Sequence, residues 1–132
     1  MKSKALFLSL LGAVAAFGMP ANAQVISNQP STVVNSSSPF GHIILGGAAR
    51  QQNLFHSFSE FDTSSGQFVN FVVNPNVVNV ISRVTGAPTA INGLVTVTSA
   101  ISGGNSLAPG VNLFLLSPRG LSFGTNALRI KD

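Results

Sequence analysis

An all-β fold is predicted for this chain of 132 residues, and three observations predict it. Its apolar runs are built largely from Val, Ile, Leu and Phe, with the β-branched and aromatic types that suit a pleated, half-buried surface well represented. Several runs alternate with Thr, Ser or Asn at period two, the spacing of a strand with one buried face. Clusters of Gly, Pro, Asn and Ser then separate the runs, as turns do.

The chain opens on a segment apart from the fold. Met1-Lys2-Ser3-Lys4 is a short basic start, residues 5–17 form an apolar run of 13 interrupted by Ser9 and Gly12, and Ala21-Asn22-Ala23 offers small side chains at a cleavage site. This is the pattern of a secretory signal peptide over residues 1–23, cleaved between Ala23 and Gln24. A membrane-spanning helix needs about 20 apolar residues, so no span is expected after cleavage.

Residues 24–39 are rich in Ser, Asn and Pro around one apolar pair, Val33-Val34, and suit an extended leader or a single edge strand. Residues 40–45 supply an apolar run that ends at Gly46-Gly47, a strand followed by a turn. Phe55, Phe58 and Phe61 recur every third position. An irregular or extended segment whose rings plug one end of the core is expected there, ahead of a short helical turn, because Ser57, Ser59 and Asp62 disfavour a long helix. With no Tyr or Trp beside them, the rings read as packing residues rather than a ligand platform.

Residues 68–73 and 77–84 are dense in β-branched and aromatic side chains, and Asn74-Pro75-Asn76 punctuates them. Val77, Val80, Ile81 and Val84 also satisfy a helical spacing, but four Val and one Ile in eight positions favour a strand. In residues 94–101, Val95, Val97 and Ile101 alternate against Thr96 and Thr98, and Ser102-Gly103-Gly104-Asn105 closes the run with a turn. Leu113 and Leu115 then face one side of a strand and Phe114 and Leu116 the other, the pattern of a strand buried inside a stacked sheet. Pro118 and Gly120 force the chain around, and Leu121 and Phe123 alternate with Ser122 in a second, half-exposed strand. The strands starting near Leu94 and Val111 are spaced as one coil of a stacked repeat, although periodicity alone equally allows a small sandwich.

The terminal block, Asn112-Leu113-Phe114-Leu115-Leu116-Ser117-Pro118-Arg119-Gly120-Leu121-Ser122-Phe123-Gly124, resembles the N-terminal secretion domain of two-partner secretion exoproteins, the filamentous-haemagglutinin family. Upstream, Asn53-Leu54-Phe55-His56-Ser57-Phe58-Ser59-Glu60-Phe61, then Asn79-Val80-Ile81-Ser82-Arg83-Val84-Thr85-Gly86, then Ile91-Asn92-Gly93-Leu94, are similar to that domain in the same order. The resemblance covers roughly residues 40–132. Ser117-Pro118-Arg119-Gly120-Leu121 keeps the Pro and Gly of the family's Asn-Pro-Asn-Gly-Ile signature, and Asn74-Pro75-Asn76-Val77 is similar to its Asn-Pro-Asn-Leu motif with Val in the last place.

What the resemblance implies is a right-handed parallel β-helix, here incomplete, with extra-helical antiparallel strands at its N-terminal side. The domain plan becomes a signal peptide at 1–23, an extended leader at 24–39 and a β-helix domain at 40–132. Because the family's domain continues for further coils, a truncated or split exoprotein is expected. The implied partner is the set of periplasmic POTRA domains of an outer-membrane barrel transporter. Asn74, Pro75, Asn76, Ser117, Pro118, Arg119, Gly120 and Leu121 are the candidate recognition residues, presented when the domain nucleates folding of an adhesin-like surface protein. Recognition is expected to add an extended segment to a sheet edge. The location implied is the surface of a Gram-negative-type bacterium, reached through the periplasm, with the surface ligand unspecified.

Composition limits the alternatives. Without residues 1–23 the chain has 109 residues, in which Arg50, Arg83, Arg119, Arg129 and Lys131 stand against Glu60, Asp62 and Asp132, a net of +2. So few, scattered charges do not neutralise a row of phosphates, and no nucleic-acid partner is expected. Cysteine is absent, so no disulfide supports the fold. His42 and His56 lack the H-x-x-x-H or H-x-H spacing of a metal site and are read as surface or partly satisfied histidines. Glu60 and Asp62 would share one face of a strand, whereas glycoside chemistry needs carboxylates opposed across a cleft. No catalytic residue, cofactor or metal is therefore expected. A β-helical carbohydrate-active protein and a self-assembling fibre subunit are the competing readings.

Overall fold

The computed structural model describes residues 24–101 and 104–130, so the expected signal peptide lies outside the described residues. Thirteen strands and no helix are found among them. In chain order they are β1 (Val25–Ser27), β2 (Thr32–Asn35), β3 (Gly41–Gly46), β4 (Ala48–Arg50), β5 (Asn53–Thr63), β6 (Phe68–Val73), β7 (Asn79–Val84), β8 (Thr89–Ile91), β9 (Leu94–Ile101), β10 (Gly104–Leu107), β11 (Asn112–Leu116), β12 (Leu121–Phe123) and β13 (Leu128–Ile130).

These strands coil into a parallel β-helix with three faces. The first face stacks β5, β7 and β11 in parallel. The second stacks the far end of β5 with β8 and β12, and the third stacks β3, β6, β9 and β13. One strand serves two faces because β5 is bent. Ile26 of β1 pairs with Glu60 but Ser27 pairs with Phe58, so Ser59 is an extra residue, a bulge of the kind that turns a strand. The bulge also breaks the alternation: Leu54, His56 and Phe58 point inward before it, Phe61 and Thr63 after it.

The phenylalanine segment is thus extended rather than irregular or helical, and two of its three rings fill the core. Phe58, Phe61 and Phe71 are fully buried. Phe58 meets Phe61 edge-on at 5.1 Å and Phe71 stacks on Phe61 at 5.9 Å. Each such ring removed from water contributes roughly 1.5–3 kcal/mol. Phe55, expected inside, faces outward at 36% exposure, because period two places it opposite Leu54 and His56. Val69, Val80, Val84, Val97 and Ile44 complete the layer between the faces.

Antiparallel strands cover the first coil. Residues 24–39 supply two strands where a leader or one edge strand was expected: β1 pairs with β5 and β2 with β3. β4 folds back on β5. A fourth antiparallel strand, β10, pairs with the end of β9 and leaves Ile101 half-exposed.

Two expectations for the C-terminal half need correction. Coil length is 26 residues from Asn53 to Asn79 and 33 from Asn79 to Asn112, so the strands near Leu94 and Val111 are not one coil apart. They lie on different faces, and the insertion of β10 accounts for the longer second coil. Nor is β11 buried on both sides. Among the described residues it pairs only with β7, and Phe114 and Leu116 point outward at 50% and 47% exposure. Leu121 and Phe123 sit in register with inward-facing Thr89 and Ile91, yet stay exposed because no described strand lies beyond β12.

Candidate functional site

Parallel strands on three faces need three corners per coil, and the sequence motifs fall on these corners. Asn74-Pro75-Asn76 is the corner between β6 and β7. The Val77 amide donates to the Asn74 carbonyl at 3.0 Å, and Val77 itself is buried. Directly beneath, the β4–β5 hairpin carries Gln51 at φ 55°, a left-handed conformation uncommon for a residue with a side chain. Its neighbour Gln52 holds the hairpin in place, because its carbonyl accepts from the amides of Val78 and Asn79 at 2.8 and 3.2 Å.

Between these two elements lies a groove of about 290 Å³. Leu45, Ala49, Leu54, Val73 and Val77 supply its apolar lining, and Gln51, Asn74 and Asn76 bring amides to it. Its wall includes β4, whose three residues are all exposed and which pairs with β5 alone among the described residues. The place therefore combines a free main-chain edge, an apolar recess and amide groups. An extended peptide can use all three together. Gln51 and the groove were missed from sequence because both depend on residues brought together from β3, β4 and β6.

A ladder of amides starts beside this corner. Asn79 donates to Asn53 at 2.8 Å and Asn112 donates to Asn79 at 3.1 Å, one asparagine on each coil. The signal was present in the sequence, since three of the motif blocks begin with Asn followed by Leu or Val.

Ser117, Pro118, Arg119, Gly120 and Leu121 form the corner that leaves β11. The Gly120 amide donates to the Ser117 carbonyl at 3.0 Å, the Ser117 hydroxyl donates to the Gly120 carbonyl at 2.7 Å, and Gly120 has φ 124°. The corner is tied to the coil below, where the Thr89 hydroxyl donates to Ser117 Oγ at 2.9 Å and the Thr89 amide to the Gly120 carbonyl. Pro118 and Arg119 stand exposed at its tip. One corner enters the first face and the other leaves it, so in a parallel sheet they occupy opposite ends. The structure does not bring the two sets of candidates into one site.

The histidines and carboxylates singled out in the sequence lie elsewhere. His56 lies in the core, its Nδ1 2.9 Å from the Thr32 hydroxyl and its ring 5.5 Å from Phe71. Burial lowers its pKa to about 4. His42 pairs with Ser36 Oγ through Nδ1, and burial lowers its pKa as well. Glu60 and Asp62 flank buried Phe61 on the outer side of β5, and Asp62 accepts the Ala90 amide at 2.8 Å. Among the described residues no group of three His, Cys, Asp or Glu could hold a metal.

In comparison with known proteins, the family model of the TPS secretion domain matches residues 17–128. The chain belongs to the TPS secretion domain family. No curated protein and no solved structure matches the chain at a significant level. As a TPS domain it is a module of a two-partner secretion exoprotein, exported with the help of a partner transporter. The family is one of secretion and recognition domains and is not known for enzymatic activity. The Ile91-Asn92-Gly93-Leu94 block of this TPS domain is its third corner. There Asn92 Oδ1 accepts the Asn126 amide at 3.0 Å, and a Cβ on Gly93 would come within 2.5 Å of the carbonyl oxygens of Ser64 and Gln67.

Proposed function

We propose that this TPS domain is recognised in the periplasm by the POTRA domains of an outer-membrane barrel transporter, and that the Asn74-Pro75-Asn76 corner with the adjoining groove is the place of recognition. An extended segment of the transporter adds to the free edge of β4. One of its apolar side chains enters the groove, and the amides of Gln51, Asn74 and Asn76 meet its polar groups. The observation that carries this reading is the apolar recess of about 290 Å³ lying beside an exposed strand that pairs on one edge among the described residues. Main-chain pairing gives affinity with little demand on sequence, while the recess gives register.

Export of the chain through the barrel then lets the β-helix assemble coil upon coil outside the cell, as part of an adhesin-like surface protein. No cofactor enters this scheme. The Ser117–Leu121 corner, with Arg119 exposed at its tip, serves as a second contact at the other end of the same face. Loops held on a rigid scaffold commonly carry such contacts.

Binding of the purified domain to the transporter's POTRA domains tests the proposal. Ala49→Arg fills the recess from its own wall and is expected to weaken binding at least about tenfold, the effect of losing about 1.4 kcal/mol. Equal affinity for the parent and Ala49→Arg, with unchanged β-sheet circular dichroism, would refute the groove as the recognition site.

A further inference from the structure

Pairing of β5 with β7 sets His56 directly opposite Ser82, both pointing into the core. His56 is 2% exposed and Ser82 fully buried. The imidazole Nδ1 is matched to Thr32, but Nε2 of His56 and Oγ of Ser82 have no partner among the described residues. The neighbouring inward rows contain no such polar pair: Leu54 stacks on Val80 and Phe58 on Val84. Leu115 follows Ser82 in its own row. A buried polar group without a partner loses its hydration and gains nothing in return, and an apolar group of the same shape avoids that loss. The sequence thus places a weak pair at the junction of the first two coils, where an alanine at position 82 would pack without it.

We propose that the His56–Ser82 pair is a conformational device that keeps the first two coils from locking, so that the chain remains open to unfolding before it crosses the outer membrane. This rests on the export reading given above. A domain that must thread a barrel is drawn from its unfolded population, and weakening one inner row raises that population. The absence of cysteine leaves the chain without a covalent closure that would oppose it.

The test compares the parent with Ser82→Ala, and with Ser122→Ala as a control at an exposed position. Thermal unfolding of the purified domain and the rate at which the full chain reaches the cell surface and medium, in the bacterium that makes it with its own transporter, are both measured. Ser82→Ala is expected to raise Tm by about 4–8 °C and to slow release into the medium by about twofold or more, while Ser122→Ala changes neither. An unchanged or lower Tm for Ser82→Ala overturns the proposal, because Ser82 Oγ would then be stabilising. A raised Tm with undiminished release overturns it too, and leaves recognition by the transporter intact. A parent chain found neither at the cell surface nor in the medium overturns both readings.

Discussion

Single residues carry two effects that solution measurements resolve. His56 has its pKa lowered to about 4 by burial, against about 6.5 in an unfolded chain. The unfolded state therefore binds the proton first. Stability from this site is complete above about pH 6.5 and is lost as pH falls toward 4, by up to roughly 3 kcal/mol. Urea unfolding between pH 7.5 and 4.5 should show that slope, and His56→Gln should flatten it. A slope that persists in His56→Gln would assign it to other groups. Glycine contributes in two distinct ways. At Gly120 an added Cβ meets only Pro88, at 3.9 Å, so Gly120→Val is costly through its φ of 124° alone, at about 1–2 kcal/mol. At Gly93 the obstacle is steric, because backbone oxygens of the coil below occupy the space, and Gly93→Ala should destabilise although its φ is ordinary. Chemical denaturation of both variants checks these losses, and parent-like stability of Gly120→Val would remove the backbone origin.

Strands and corners explain which parts of the sequence were readable. Asn79 both donates to Asn53 and accepts from Asn112, so Asn79→Leu should cost about 1–2 kcal/mol by breaking two links at once. Asn112→Leu, which breaks one, should cost less, and equal losses in urea unfolding would contradict the ladder. Strands β6 and β9 were legible because Phe68–Val73 is dense in β-branched and aromatic residues and Val95 and Val97 alternate with Thr96 and Thr98, each run lying between turn residues. The bend of β5 was not, since a bulge at Ser59 changes which phenylalanines point inward without altering composition. Leu113 to Leu116 misled for a different reason: apolar residues on both sides of a strand imply burial only when both faces of its sheet are covered, and the outer face of β11, where Phe114 and Leu116 point, is half-exposed. The corners were located by Pro, Gly and Asn, yet their stacking from coil to coil is a long-range fact that no local pattern contains. The same holds for the groove, which needs β3, β4 and β6 together.

At the scale of the whole molecule, a parallel β-helix of three described coils is covered on its first coil by antiparallel strands, and the TPS domain family gives it a role in two-partner secretion. With so few charges, the recognition proposed above relies on shape and a main-chain edge. The central claim is that a transporter segment adds to β4 over the groove at the Asn74-Pro75-Asn76 corner. Amide hydrogen exchange of the domain, alone and with the transporter's POTRA domains, tests it most directly. New protection is predicted at Ala48–Arg50 and at Asn76, with the amides of Val77, β6 and β9 unchanged because they are already paired. Protection confined to other surfaces, with Ala48–Arg50 exchanging as fast in the complex as alone, would contradict the account.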